Sequence, residues 1–177
     1  MEKVSEALKA ATVLDNSGQT VSFGSLHRGQ TTLIVFVRHF GCIFCRERIS
    51  ELTAAIDELK TLGIKSVIVG NGTPYMAEAF VQSLDLEVPL FTDPSRKTYA
   101  LAGMQRNFGL GLKTVSQALR SWRSGYRQGA VAGDVWQQGG ILLIDEHDHV
   151  LEAHHDEGAG DYIDLKALIA RMRSRAA

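Results

Sequence analysis

Leu33-Ile34-Val35-Phe36-Val37-Arg38-His39-Phe40-Gly41-Cys42-Ile43-Phe44-Cys45 is the stretch on which the reading of the fold turns. Its first five residues are an unbroken β-branched and aromatic run, the pattern of a strand buried on both faces of a parallel or mixed sheet. Arg38-His39-Phe40-Gly41 is the turn out of that strand, and a helix follows. Cys45, Ile49, Leu52, Ile56 and Leu59 recur at spacings of 4, 3, 4 and 3, which predicts one apolar stripe on one helix. Gly63 stands where a left-handed cap closes a helix. Residues 64–69 then read as the next strand, and strand–helix–strand order makes a right-handed crossover between parallel neighbours.

Working outward, residues 11–26 read as a hairpin, with Asn16-Ser17-Gly18 as its turn. Gly70-Asn71-Gly72-Thr73-Pro74 opens a helix over 74–84, with proline at an early helical position. A short strand is expected at 88–91, and Asp93-Pro94 starts a further helix. Residues 141–144 form a buried strand that pairs with 150–154 through the turn 145–149. A closing amphipathic helix is expected over 161–175, its apolar side made by Ile163, Leu165, Leu168, Ile169 and Met172.

The composition is ordinary for a globular chain. Of the 177 residues, 45% are hydrophobic and 22% charged. A chain of this size buries about 70% of its extended surface, enough for its own core. One domain spanning 1–177 is the expectation. Nineteen basic against twenty acidic residues give a net charge of −1, so no broad bias points to nucleic acid or to a membrane surface. The start, with Glu2, Lys3, Glu6 and Lys9, lacks the apolar run of a secretory signal. The longest apolar run, 33–37, is far below the ~20 residues of a spanning helix. A cytoplasmic protein without a transmembrane segment is expected.

The two cysteines, Cys42 and Cys45, are three positions apart. A scaffold disulfide is a poor explanation in a chain that builds its own core, and a closed zinc site needs ligands that no second pair supplies. Their placement is informative. At the start of a helix, backbone N–H groups and the macrodipole favour a thiolate, which is the nucleophilic form. Cys42 begins the first turn, and Cys45 lies one turn deeper on the apolar stripe. The first sulfur can meet a substrate and the second can attack it afterwards. Arg38, His39, Arg46 and Arg48 flank the pair, with Glu47 as the opposing charge. A Cys-x-x-Cys pair directly after a buried strand reads as a thioredoxin-like redox motif. The bland alternative is two inert buried thiols packed as small hydrophobes.

At this point the chain resembles a known family. Gly18-Gln19-Thr20-Val21-Ser22-Phe23-Gly24-Ser25-Leu26, then Phe40-Gly41-Cys42-Ile43-Phe44-Cys45-Arg46-Glu47, are similar to the alkyl hydroperoxide reductase/thiol-specific antioxidant superfamily, and within it to the peroxiredoxin-like 2 branch. Gly133-Asp134-Val135-Trp136-Gln137-Gln138-Gly139-Gly140 and His154-His155-Asp156 extend the resemblance over about residues 10–172. It implies an α/β, thioredoxin-like, peroxiredoxin-type three-layer sandwich. The central mixed sheet would carry an amino-terminal hairpin, and a helical segment would be inserted at about 95–133. It also implies a redox-active cysteine. Some relatives act as antioxidant reductases, and others reduce prostaglandin endoperoxides.

The sequence departs from the peroxidatic pattern Pro-x-x-x-Thr-x-x-Cys. Aligned on Cys45, Arg38 stands at the proline and Cys42 at the threonine. No X-Pro precedes Ile141 to serve as a thioredoxin-type cis-proline, and Gln137-Gln138 occupy the place of the late arginine. Disulfide exchange by the pair needs none of these. The alignment makes Cys45 the attacking sulfur, whereas helix geometry favours Cys42, which is nearer the N–H groups and solvent. Cys42 is taken as nucleophile and Cys45 as resolving thiol, with Arg38, His39, Gly41 and Arg46 as supporting residues.

Between Ser95 and Gly133 there is no acidic residue, while Arg96, Lys97, Arg106, Lys113, Arg120, Arg123 and Arg127 are basic. Leu101, Met104, Phe108, Leu112, Val115, Leu119, Trp122 and Tyr126 interleave with them at helical spacing, and Gly103, Gly109 and Gly111 interrupt the run. Three readings stand: a solvated face, a wall recognising an apolar substrate with a carboxylate or phosphate, or a peripheral membrane or partner helix. On the second reading, Arg120, Trp122 and Arg123, together with Trp136 and Gln137, are candidate substrate contacts.

His154 and His155 are neighbours on an expected strand and point to opposite faces, so a shared metal is not expected. His39, beside the pair, can transfer protons. The leading expectation is an oxidoreductase without organic cofactor or metal. Cys42 would attack a peroxide or disulfide, Cys45 would close an intrachain disulfide, and an external dithiol such as thioredoxin would restore the pair. Small peroxides or an apolar anionic molecule are the expected substrates. The alternative is a redox-sensing or binding module acting through the basic segment.

Overall fold

The computed structural model describes residues 2–106, 133–158, 161 and 163–176. Within them a mixed sheet is formed by β1 (Thr12–Leu14), β2 (Thr20–Ser22), β3 (Thr32–Phe36), β4 (Lys65–Gly70), β5 (Leu90–Thr92), β6 (Gly140–Ile144) and β7 (Val150–His155). The order is β2-β1-β5-β4-β3-β6-β7. The helices are α1 (Glu6–Ala10), α2 (Ile43–Ala54), α3 (Ile56–Thr61), α4 (Pro74–Leu84), α5 (Lys97–Leu101) and α6 (Leu165–Ala176).

β3 lies between β4, parallel, with Phe36 opposite Val69, and β6, antiparallel, with Phe36 opposite Gly140. The crossover through α2 is the one expected from the apolar run and its helix. The hairpin also forms, Thr12 opposite Ser22, and it extends the main sheet because Leu14 of β1 faces Thr92 of β5. β6 and β7 pair antiparallel.

β3 is buried along its whole length, and its side chains alternate between two cores. Leu33, Val35 and Val37 pack with Cys45, Ile49 and Leu52 of α2, Phe80 of α4 and Leu168 and Ile169 of α6. Ile34 and Phe36 face the other way, onto Leu8, Phe23, Leu26 and Tyr99. Each such aliphatic or aromatic side chain contributes about 1.5–3 kcal/mol relative to exposure. The result is a sheet covered by helices on both sides, the expected α/β sandwich.

Tyr99 ties the second core to the top of the sheet. Its ring meets Phe36 edge-on at 5.1 Å. Its hydroxyl lies 2.8 Å from the carbonyl oxygen of Val37 and 3.0 Å from that of Val69, donating between them. The exits of β3 and β4 are thereby held together from below. Burial pushes the Tyr99 phenol well above its ordinary range, so it stays a donor.

Three details differ from the expectations. The helix expected to run unbroken through residue 59 stops at Ala54 and resumes at Ile56, with Ala55 as a turn between them. Thr53 Oγ1 donates to the Ile49 carbonyl at 2.9 Å, a competing bond of the kind that bends helices. The final helix begins at Leu165 rather than 161, because the Asp164 carboxylate accepts from the Lys166 and Ala167 N–H groups and so caps it there. The short α1 was not expected at all. Ser5 caps it, accepting from Leu8 N–H at 3.2 Å, and Leu8 is its buried residue. Of the basic amphipathic pattern, Lys113, Arg120, Trp122, Arg123 and Arg127 lie outside the described residues.

Candidate active site

Cys42 is the N-cap of α2 and Cys45 lies one turn inside it. The turn that delivers them is short: the Cys42 N–H donates to the His39 carbonyl at 3.1 Å, and Arg46 N–H closes the first helical turn on the Cys42 carbonyl at 3.1 Å. The Cys42 side chain makes no capping hydrogen bond, so the helix start acts on it through the positive end of the helix dipole. Both thiols are free and buried, Cys42 at 3% and Cys45 at 5% exposure.

The two sulfurs differ in acidity. The Cys42 thiol sits well below its ordinary value, chiefly because the Cys45 thiol donates a hydrogen bond to it. Burial opposes this, while a hydrogen bond from the His39 ring and the charges of His39 and Arg38 add to it. The Cys45 thiol is pushed well up, first by burial and then by the hydrogen bond and charge of Cys42. One sulfur is thus prepared as an anion and the other kept as a proton donor, the asymmetry that sequential attack requires. Between the two readings left open by the sequence, the electrostatics favour Cys42 as nucleophile. Contrary to the expectation that set Cys42 nearer solvent, it is not the more exposed of the two sulfurs, because the turn from Arg38 to Gly41 is itself buried over it.

Arg38 and His39 are buried at 8% and 5%. Arg38 Nη2 donates to the Val135 carbonyl at 3.0 Å, which joins the cysteine turn to the segment leading into β6. Asn71 strengthens this junction. Its amide donates to the carbonyls of Arg38 and Asp134, and its carbonyl oxygen accepts from the Asp134 N–H at 2.8 Å. Asp134 is held by Arg96 at 2.9 Å and Arg106 at 2.8 Å. Gly70 precedes Asn71 because the Phe40 ring of the cysteine turn lies against it, and a side chain there would strike the ring.

The other expected site residues are distributed differently. Gly41 is in the turn, as expected. Arg46 lies with its guanidinium 5.6 Å from the Phe80 ring centre, a cation–π contact. Trp136 is 40% exposed. Gln137 is buried, and its amide donates to the carbonyls of Met104 and Gln105 at 3.3 and 3.1 Å. Arg120, Trp122 and Arg123 are among the residues not described. His154 and His155 part as expected of strand neighbours: His155 meets the Ala102 carbonyl at 2.9 Å, while His154 lies 3.6 Å from Asp156.

Sequence reasoning missed Asp156 as a site residue. It stands just beyond β7, 7% exposed, and pairs with Arg48 of α2 at 3.0 Å. A signal existed: Arg48 is three residues from Cys45 and four from Leu52, on the edge of the buried stripe, and a buried guanidinium requires a counter-charge. A cavity of about 10 Å³ lies between Cys45, Arg38, Arg48, Phe44 and Asp156. A much larger groove, about 920 Å³, runs between α2–α3 and α6, lined by Glu47, Glu51, Ala54, Ile163 and Leu165, and neither cysteine borders it.

Among the described residues no group of His, Cys, Asp and Glu is arranged to hold a metal, and no helix is long and apolar enough to cross a membrane.

Comparison with known proteins agrees with this architecture. Residues 51–158 match the family described as AhpC/TSA antioxidant enzyme, a stretch that begins after the cysteine pair. The chain is 29% identical over 169 residues to the chloroplastic thioredoxin-like protein AAED1 of Arabidopsis thaliana, covering 88% of this chain and 67% of that one. It is 26% identical over 182 residues to peroxiredoxin-like 2C of Bos taurus, covering 95% and 79%. Among solved structures, the peroxidoxin BcpB of Mycobacterium tuberculosis superposes with a TM-score of 0.70 at 14% identity, covering 98% of each chain. That similarity shows a shared peroxiredoxin-type fold.

Proposed function

The chain belongs to the AhpC/TSA antioxidant enzyme family, and on that premise we propose that it is a dithiol oxidoreductase whose Cys42 attacks a hydroperoxide or disulfide and whose Cys45 resolves the product. The observation that carries the proposal is the opposed acidity of two sulfurs joined by a hydrogen bond at a helix start.

With a hydroperoxide, the Cys42 thiolate attacks one peroxidic oxygen. A sulfur–oxygen bond forms, the oxygen–oxygen bond breaks, and the leaving alkoxide takes a proton for which His39 is the nearby donor. Cys45 then attacks the Cys42 sulfenic acid. The Cys42–Cys45 disulfide forms, water leaves, and an external dithiol of the thioredoxin kind supplies two electrons to restore the pair. Arg38 and His39 favour the anion that starts the cycle. Arg38 Nε and Arg46 Nε are buried without a hydrogen-bond partner among the described residues, which supports an anionic substrate with Trp136 as an apolar contact. We read residues 1–177 as one domain working in a reducing compartment.

The test is turnover. Purified protein with a thioredoxin, its reductase and an alkyl hydroperoxide is expected to consume the peroxide, and Cys42→Ser is expected to abolish this. Reversible oxidation of the pair without turnover would instead identify a redox sensor.

A further inference from the structure

Asn71 follows the last residue of β4 and is 4% exposed. Its carboxamide uses both donors and its acceptor. Nδ2 donates to the carbonyls of Arg38 and Asp134, and Oδ1 accepts from the Asp134 N–H at 2.8 Å. The next carbonyl along, that of Val135, accepts from Arg38 Nη2 at 3.0 Å. These bonds close a ring. The Arg38 backbone is tied to Asn71, Asn71 is tied to Asp134, and the residue after Asp134 holds the far end of the Arg38 side chain.

We infer that Asn71 is a positioning residue for the reaction: acting through the Asp134–Val135 backbone, it fixes the Arg38 guanidinium beside the cysteine pair. The inference rests on the dithiol reading above and adds a residue that touches neither sulfur nor substrate.

The surroundings are shaped for this ring. Gly133 has a φ of +114°, and a Cβ there would strike Asn71 Oδ1, so glycine at 133 leaves the space that the carboxamide fills. Asp134 is anchored from its other side. Its carboxylate accepts from Arg96 at 2.9 Å, from Arg106 at 2.8 Å and from the Trp136 N–H at 2.9 Å. The loop to which Arg38 is fastened is therefore itself fastened.

At the other end of the ring, Arg38 is 8% exposed and borders one small cavity together with Cys45. The influences on the Cys42 thiol are the hydrogen bond from Cys45, the opposing effect of burial, then the hydrogen bond and charge of His39 and the charge of Arg38. A guanidinium on a long free side chain turns to water, and its field at a sulfur weakens with distance and with solvent between them. A cation held in place stabilises a thiolate with no rearrangement at the moment of attack. One planar group with two donors and an acceptor can hold the Arg38 backbone and the loop that receives its side chain at the same time.

The test is the pH dependence of iodoacetamide alkylation, followed at the Cys42 peptide by mass spectrometry. Asn71→Ala is expected to raise the midpoint by roughly half a pH unit, a threefold loss of thiolate below it. Arg38→Gln is expected to raise it at least as far. The double variant is expected to go no further than Arg38→Gln alone, because nothing remains to be positioned. Gly133→Ala keeps both side chains, displaces the carboxamide, and is expected to act like Asn71→Ala. Should Asn71→Ala not fold, Gly133→Ala is read in its place, alone and with Arg38→Gln. An unchanged midpoint in the folded single variant overturns the inference. So does a shift that adds in full to that of Arg38→Gln, since Asn71 would then act by another route. A wild-type midpoint at the ordinary thiol value of about 8.5 overturns the dithiol reading itself, a result distinct from an acidic Cys42 indifferent to Asn71.

Discussion

Arg48 of α2 donates through one guanidinium nitrogen to both carboxylate oxygens of Asp156, at 3.1 and 3.0 Å, across 108 positions of sequence. Both side chains are 5% exposed. The pair fastens the helix that carries the cysteines to the end of β7.

Removing one member of such a pair leaves the other charge buried. Arg48→Ala is expected to destabilise the fold by about 3–5 kcal/mol at neutral pH. The loss is expected to be smaller near about pH 5, where Asp156 accepts a proton and relieves its own burial. Urea unfolding at the two pH values checks both the size and the ordering.

The carboxyl of Asp156 titrates near 6 in the folded protein, against an ordinary 3.8. A folded-state value above the unfolded one means that the folded chain binds more protons between the two. The contribution is therefore fully present below the unfolded value and lost as pH rises through about 6. Two pH units of displacement correspond to roughly 3 kcal/mol. Stability of the wild type minus that of Asp156→Asn should fall by that order between pH 4 and 7, and a pH-independent difference would contradict the assignment.

The hydrogen bond from Cys45 is the largest influence lowering the Cys42 thiol. Cys45→Ala removes that donor, so the pH midpoint for alkylation of Cys42 by iodoacetamide is expected to move upward. His39→Gln should move it upward less. Cys45→Ser, which keeps a hydroxyl donor, should stay closer to wild type than Cys45→Ala.

Asn71 serves two loops with one carboxamide. Asn71→Ala strands the Arg38 and Asp134 carbonyls and the Asp134 N–H, at a cost of about 1–3 kcal/mol. Faster hydrogen exchange at the Asp134 amide, with exchange in β4 unchanged, is the expected signature.

The parts of this molecule legible in the sequence are those governed by local pattern. The run from Leu33 announces β3 because five consecutive apolar residues can only be buried on both faces, and Cys42 after Gly41 marks the helix start. What was not legible depends on partners far along the chain or on single bonds. The interruption at Ala55 arises from Thr53 turning to the Ile49 carbonyl, which leaves the apolar spacing unchanged. The helix α1 is five residues long, too short for a periodic signal. Asp156 looked like the end of a histidine cluster, and only the folding of β7 beside α2 makes it the neighbour of Cys45 in one cavity.

The phenol of Tyr99 touches the carbonyls where β3 and β4 end, yet its ring belongs to the core on the opposite side of the sheet from the sulfurs. The loop that carries the sulfurs thus leaves the sheet from strand ends fastened by a residue of the other core, so an engineer who transplants that loop onto another scaffold must supply an equivalent keystone from beneath it.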